Sequence, residues 1–224
     1  MSYQLLIDGE LVDGERTLSV INPATGKEFA TCARASETQL HDAVAAAKRA
    51  FPAWAKLSHA DRKARIEAFA QGIEDRKQEF AELLTSEQGK PLAQATAEVG
   101  GAIAILRHFA GIELPLETLR ESDEGKVLEQ HSPLGVVAAI TPWNFPLSIL
   151  MLKVGPGLST GNTMVVKPAP TTPLTTALLG EVASTTLPAG VFNVIIDDND
   201  LGSVLSSHPD IAKVSFTGST ATGK

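Results

Sequence analysis

Asn144 stands where a side-chain amide could do chemistry. It sits in Thr141-Pro142-Trp143-Asn144-Phe145-Pro146, held between two prolines. The apolar run 135–140 before it reads as a buried strand, and 147–158 after it as an apolar helix. Pro146 suits a first helical turn, where a missing N–H costs nothing, and Pro142 stiffens the approach. This pattern puts Asn144 at a strand's carboxyl end with its amide free to donate. Ligands of open α/β sheets bind at such ends, and a fixed amide donor can stabilise a developing oxyanion. The competing use of an asparagine here is a plain helix N-cap.

Two further segments would join it at neighbouring strand ends. Lys167-Pro168-Ala169-Pro170 follows Val165-Val166, and Phe216-Thr217-Gly218-Ser219-Thr220-Ala221-Thr222-Gly223 follows the last apolar run. A lysine there supplies a compact charge for ribose or phosphate oxygens, and the prolines keep its segment extended. The glycines let backbone N–H groups approach a pyrophosphate near a helix start. Alone, a lysine is usually solvated and Gly-Ser-Thr is usually a turn; the ordered set at consecutive strand ends carries the signal. Residues 218–224 also fit Gly-x-x-x-x-Gly-Lys, but a P-loop needs a hydroxyl residue after the lysine and then a helix.

The elements that would position these residues follow a βα rhythm. Strands are expected near 135–140, 163–167, 191–196 and 212–217, with helices near 147–158, 174–186 and 201–207. Fully apolar strands alternating with helices indicate an α/β fold, a doubly wound, Rossmann-like parallel sheet covered on both faces. Ahead of it, residues 5–29 hold short β-like pieces separated by Asp8-Gly9, Asp13-Gly14 and Asn22-Pro23-Ala24-Thr25-Gly26. Ser36 with Gln39 opens a helix along Leu40, Val44, Ala47 and Phe51. Ser58 with Asp61 opens a second, striped by Ile66, Phe69, Ile73, Phe80 and Leu84 and closed by Gly89. Pro91 starts a third, running to about Ala110. Residues 117–131 read as a hairpin turning at Ser122-Asp123-Glu124-Gly125. The layout is thus an amino-terminal arm and helical part (1–116), a protruding hairpin (117–132) and a Rossmann-like part (133–224).

Composition narrows the class. With 224 residues, a formal charge of −7 and no Lys/Arg cluster, the chain is a poor match for a nucleic-acid backbone. No apolar run is long enough to span a membrane, and Met1-Ser2-Tyr3-Gln4 lacks a leader pattern. A cytoplasmic protein fits these features. Cys32 is the sole cysteine and has no nearby histidine, so it reads as a buried or incidental thiol. His41, His59, His108, His131 and His208 show no metal-ligand spacing, and no metal is expected.

Taken together, Pro142-Trp143-Asn144-Phe145-Pro146, Gly161-Asn162-Thr163 through Val166-Lys167-Pro168, Leu187-Pro188-Ala189-Gly190-Val191-Phe192-Asn193-Val194 and Phe216-Thr217-Gly218-Ser219-Thr220 resemble the amino-terminal half of the NAD(P)-dependent aldehyde dehydrogenases. The resemblance runs from about Ile7 to Lys224. It implies that Asn144 donates to a thiohemiacetal oxyanion and that Trp143 lines the nicotinamide site. It further implies that Lys167 binds the adenosine ribose and that Gly218 and Ser219 contact the pyrophosphate. Thr141, Pro142, Pro168, Ala169, Pro170 and Gly202 complete the implied set for NAD or NADP. Lys153 matches a family lysine near the active site, against its plain use as a helix cation. The hairpin matches the family's oligomerisation element, which implies a homodimer or homotetramer acting on a small aldehyde.

Two departures accompany the resemblance. NAD-preferring members often carry a glutamate three residues after the binding lysine, and Pro170 stands there. Losing a carboxylate removes an acceptor and a repulsion against a 2′-phosphate, so NADP should be tolerated or preferred. The family's nucleophilic cysteine and general-base glutamate follow the Phe-Thr-Gly-Ser motif, and this sequence stops at Lys224 before either. In the family mechanism a thiolate adds to the aldehyde, hydride passes to the nicotinamide, and activated water releases the acid. The expectation is therefore a truncated sequence holding the cofactor platform, with an exposed edge strand and a tendency to self-associate. The alternative of another class is a non-catalytic nucleotide-binding or assembly subunit.

Overall fold

The computed structural model describes residues 3–224; Met1 and Ser2, where the leader pattern was sought, lie outside the described residues. The amino-terminal β-like pieces are β1 (Leu5–Ile7), β2 (Glu10–Val12), β3 (Arg16–Asn22) and β4 (Lys27–Arg34). Next comes α1 (Glu37–Lys56), opened by the expected capping box. Ser36 Oγ accepts from the Gln39 N–H at 3.2 Å, and Gln39 Oε1 accepts from the Ser36 N–H at 3.1 Å. Its buried stripe is Leu40, Val44, Ala47 and Trp54, with Phe51 half-buried.

The second expected helix is two helices, α2 (His59–Asp75) and α3 (Lys77–Gln88). They part at Arg76, whose backbone leaves the helical region (φ −108°, ψ 16°). Its guanidinium is pinned to Glu79 at 2.8 Å and to Glu181 at 2.9 Å. The apolar stripe crosses the break in register, because Ile73 and Phe80 lie seven residues apart. No glycine or proline marks the bend. Gly89 closes α3 in the left-handed region, and α4 (Leu92–Ala110) starts after Pro91 as expected.

The hairpin is β5 (Glu117–Ser122) and β6 (Gly125–Glu129), a separate two-stranded sheet exposed along its whole length. The remaining elements are β7 (Val136–Ile140), α5 (Pro146–Ser159), β8 (Thr163–Lys167), α6 (Leu174–Thr186), β9 (Phe192–Val194), α7 (Gly202–Ser206) and β10 (Ile211–Phe216). The main sheet has the order β10-β7-β8-β9-β1-β2. Its four βα strands are parallel, as expected. The sheet as a whole is mixed, however, because β1 runs antiparallel to β9 and β2 antiparallel to β1. Leu6 pairs with Val194, and the Asp8 N–H donates to Asn193 Oδ1 at 3.0 Å. This covers the edge that β9 would otherwise present. From β7 the chain steps through β8 to β9 on one side, then returns to place β10 on the other. The strand order therefore reverses between β7 and β10.

Both helices that leave the sheet near the candidate site begin without a cap of their own. Phe145 at the start of α5 and Pro173 at the start of α6 offer no side-chain acceptor. A helix start leaves backbone N–H groups unpaired and carries partial positive charge. Buried glutamates from other helices answer both needs. Glu98 of α4 accepts from the Leu147 and Ser148 N–H groups at 3.1 and 3.3 Å. Glu87 of α3 accepts from the Leu174 N–H at 2.7 Å, the Thr175 N–H at 3.1 Å and the Thr175 hydroxyl at 2.5 Å.

Burial pushes the Glu87 carboxyl from 4.5 up to about 7, against the pull of those three hydrogen bonds. Between these values the folded chain holds a proton that the unfolded chain has released. Stability is therefore greatest below about pH 4.5 on this account and falls as pH rises through 7. The shift is worth on the order of 3 kcal/mol. Denaturant midpoints measured from pH 4.5 to 8 are expected to decline more steeply for the native chain than for Glu87→Gln, and equal slopes would refute the assignment.

Candidate functional site

The strand order reverses between β7 and β10, and the loops carrying Asn144 and Gly218 leave the carboxyl ends of these two strands, the place where open α/β sheets bind their ligands. Thr141 leaves β7 still tied to the sheet, its N–H donating to the Lys167 carbonyl at 3.1 Å. Its hydroxyl is buried and has no partner among the described residues. Pro142 is half-buried, while Trp143, Asn144 and Phe145 are exposed, Trp143 at 58 %. The α5 N-cap is Phe145, so Asn144 is not the cap. Its side-chain amide makes no hydrogen bond among the described residues, which leaves it available as a donor.

What holds this loop was not evident in the chain pattern. Lys90, just before α4, donates to Glu98 and also to the Asn144 carbonyl at 3.1 Å. Its ammonium lies 4.2 Å from the centre of the Phe145 ring, a cation–π contact. Lys90 and Glu98 are both buried. One ion pair thus grips the loop by its carbonyl, its aromatic ring and the first N–H groups of α5. A faint signal existed in the sequence. Glu98 falls between Ala95, Val99 and Ala102 on the apolar stripe of α4, and Glu87 falls in line with Phe80 and Leu84 on α3.

Lys167 ends β8 as expected, yet it is not free. It is buried, and its ammonium donates to Asp197 Oδ1 at 2.6 Å and to the Pro168 carbonyl at 3.4 Å. Pro168 is buried; Ala169 and Pro170 are half-buried. Gly202 opens α7 against this lysine, and a Cβ there would sit 3.7 Å from Lys167 Cε. Trp143 and Pro170 face a common groove of about 610 Å³, shared with Thr172, Asp198 and Asn199.

At the end of β10 the Phe216 ring forms a floor under the glycine loop. A Cβ on Gly218 would lie 2.4 Å from Phe216 Cζ, so a side chain here would force the ring or the loop to move. Ser219 Oγ accepts from the Thr222 N–H at 3.2 Å, and the Gly223 N–H reaches the Ser219 carbonyl at 3.1 Å, which makes a single capped turn. Gly218 and Ser219 are exposed.

Lys153 reaches this strand end and makes no hydrogen bond to Asn144 among the described residues. Its ammonium donates to the Thr217 hydroxyl at 2.8 Å and the Ser215 hydroxyl at 3.2 Å. It lines a second cavity of about 560 Å³ with Arg62, His131 and Lys213. Burial, then the charge of Lys213, lowers its pKa. Cys32 is buried in β4, and burial pushes its thiol up to about 12, in keeping with an inert role. No cluster of metal-ligating side chains is present among the described residues, and none of their helices is long and apolar enough to cross a membrane.

The profile of the Aldehyde dehydrogenase family matches residues 11–224. This chain belongs to the aldehyde dehydrogenase family. The 3-sulfolactaldehyde dehydrogenase of Pseudomonas putida is 38% identical, covering 100% of this chain and 48% of that relative. The NADP-dependent succinate-semialdehyde dehydrogenase of Escherichia coli is 38% identical, covering 99% and 47%. Among solved structures, betaine aldehyde dehydrogenase from Staphylococcus aureus, in complex with NAD+, superposes with a TM-score of 0.94 at 31% identity, covering 100% and 47%. The chain thus spans about half the length of the curated relatives it matches. The family match includes residues 218–224, which removes the P-loop alternative for that turn.

Within this aldehyde dehydrogenase fold, Lys90→Met tests the grip on the Asn144 loop. It leaves Glu98 buried without its counter-ion, an expected cost of about 3–5 kcal/mol. Amide exchange at Leu147 and Ser148 should quicken before protection in β8 changes. Unaltered exchange at both amides would show that Lys90 does not hold the loop.

Proposed function

We propose that this chain is the cofactor-binding part of an enzyme that oxidises an aldehyde to a carboxylic acid with NAD(P)+. The observation that carries the reading is the strand-order reversal between β7 and β10, with the Asn144 and Gly218 loops leaving the carboxyl ends of these two strands. The residues fit a dinucleotide. The exposed N–H groups around Gly218 and Ser219 suit a pyrophosphate, and Lys167 with Pro168, Ala169, Pro170 and Gly202 forms the ribose end. Thr141, whose buried hydroxyl has no partner among the described residues, would stand with Pro142 and Trp143 on the nicotinamide side. When bound, the nicotinamide supplies the hydride acceptor.

Asn144 contributes a donor held on a fixed loop. Such a donor lowers the barrier because it is aimed where negative charge develops, with no reorganisation at the moment of reaction. Lys153 acts at the β10 end, positioning Thr217 ahead of the glycine loop. Cys32 is the sole thiol of these 224 residues and is buried, so the covalent step needs a nucleophile from outside them.

The hairpin supports self-association. Leu119 is 59% exposed, and Leu116, Val127 and Leu128 beside it are exposed too. An apolar patch of this kind marks an interface between copies of the chain. Leu119→Asp with Leu128→Asp is expected to convert dimers or larger species to monomers in sedimentation velocity, and no change would refute the hairpin's role.

The cofactor reading is tested with NADH. Trp54 is buried and Trp143 exposed, so NADH should quench the Trp143 emission, and Trp143→Phe should remove most of that signal. Gly218→Val should weaken NADH binding at least tenfold by lifting the loop off Phe216. Failure of the native chain to bind NADH would overturn the reading.

A further inference from the structure

The ribose end of the site carries an unusual charge arrangement. Asp197 is fully buried, three residues past β9, and both its oxygens are engaged. Oδ1 accepts from Lys167 at 2.6 Å, and Oδ2 accepts from the Leu201 N–H at 2.9 Å. The neighbouring cation, Arg34, is also taken. It donates to Asp200 at 2.6 Å and lies 3.5 Å from Asp198. Two cations therefore face three carboxylates at this strand end, and neither cation is left without one. Asp198 in addition lines the groove shared by Trp143 and Pro170.

We propose that Asp197 determines cofactor choice: by holding Lys167 in a buried ion pair, it makes this site select NAD(H) over NADP(H). The inference rests on the dinucleotide reading above. A lysine ammonium has three N–H donors, and Asp197 and the Pro168 carbonyl occupy two. One donor is enough for a ribose hydroxyl. A 2′-phosphate carries roughly −1.5 to −2 charge at pH 7 and needs uncompensated cations. Here it meets a neutralised lysine with a carboxylate behind it. The missing carboxylate at Pro170 pointed to NADP; Asp197 supplies the opposing charge from a different strand end.

The test is calorimetric titration of the protein with NAD+, NADP+, 5′-AMP and 2′,5′-ADP. The native protein is expected to bind NAD+ at least tenfold more tightly than NADP+, and 2′,5′-ADP no more tightly than 5′-AMP. In Asp197→Asn the NADP+ to NAD+ ratio of Kd values should fall at least tenfold, mainly through tighter NADP+ binding. Equal or tighter NADP+ binding by the native protein, or an unchanged ratio in the variant, would overturn the proposal while leaving the dinucleotide reading intact. Absence of binding by all four nucleotides would overturn both. If Asp197→Asn does not fold, the paired AMP and 2′,5′-ADP titrations of the native protein decide the matter alone.

Discussion

Two buried carboxylates facing two uncapped helix starts are the constraint on which the site depends. The loops after β7 and β8 end on Phe145 and Pro173, neither of which offers a side-chain acceptor, so α5 and α6 start without conventional caps. The unpaired N–H groups at those starts cannot be abandoned in a buried setting. Glu98 and Glu87 satisfy them from α4 and α3, and so fasten the helical layer to the carboxyl edge of the sheet. The helices 59–110 are thus more than a cover for apolar surface. They fix where the Asn144 loop begins its helix, and Lys90 fixes the loop itself.

The site divides electrostatically along the sheet. Near β7, Lys90 is paired with Glu98 and also holds the Asn144 carbonyl and the Phe145 ring, while the Asn144 amide stays unengaged. Near β9, cations are spent on carboxylates. Near β10, Lys153 is spent on two hydroxyls, with Lys213 close enough to depress its proton affinity. Each strand end therefore presents a different balance of charge to anything laid across these ends.

Much of this was legible in the chain. The strands at 163–167 and 135–140, the capping box at Ser36, the hairpin turn and the glycine loop after Phe216 all follow from local patterns of apolar residues and turn chemistry. What was not legible has one physical form: a partner supplied from far away in sequence. Arg76 at the bend is paired with Glu181, 105 residues on, and the apolar stripe passes through without interruption. The engagement of Lys167 depends on an aspartate thirty residues on. The grip on Asn144 depends on a lysine 54 residues earlier. A carboxylate lying in line with an apolar stripe, as Glu87 and Glu98 do, is the pattern that could have raised the question.

The antiparallel edge has a consequence in time. β1 is the first strand among the described residues, yet its neighbour on the inner side of the main sheet is β9, and the hydrogen bond from Asp8 to Asn193 closes over 185 residues. β1 can pair early with β2, and Tyr3 can bridge to Cys32 and Ala33, but neither gives β1 its place in the main sheet before β9 is present. An isolated ribbon of this size is marginal in water, and pairing across so long a separation is slow to be won. The main sheet is therefore sealed on this side only when segments 185 residues apart in sequence have met.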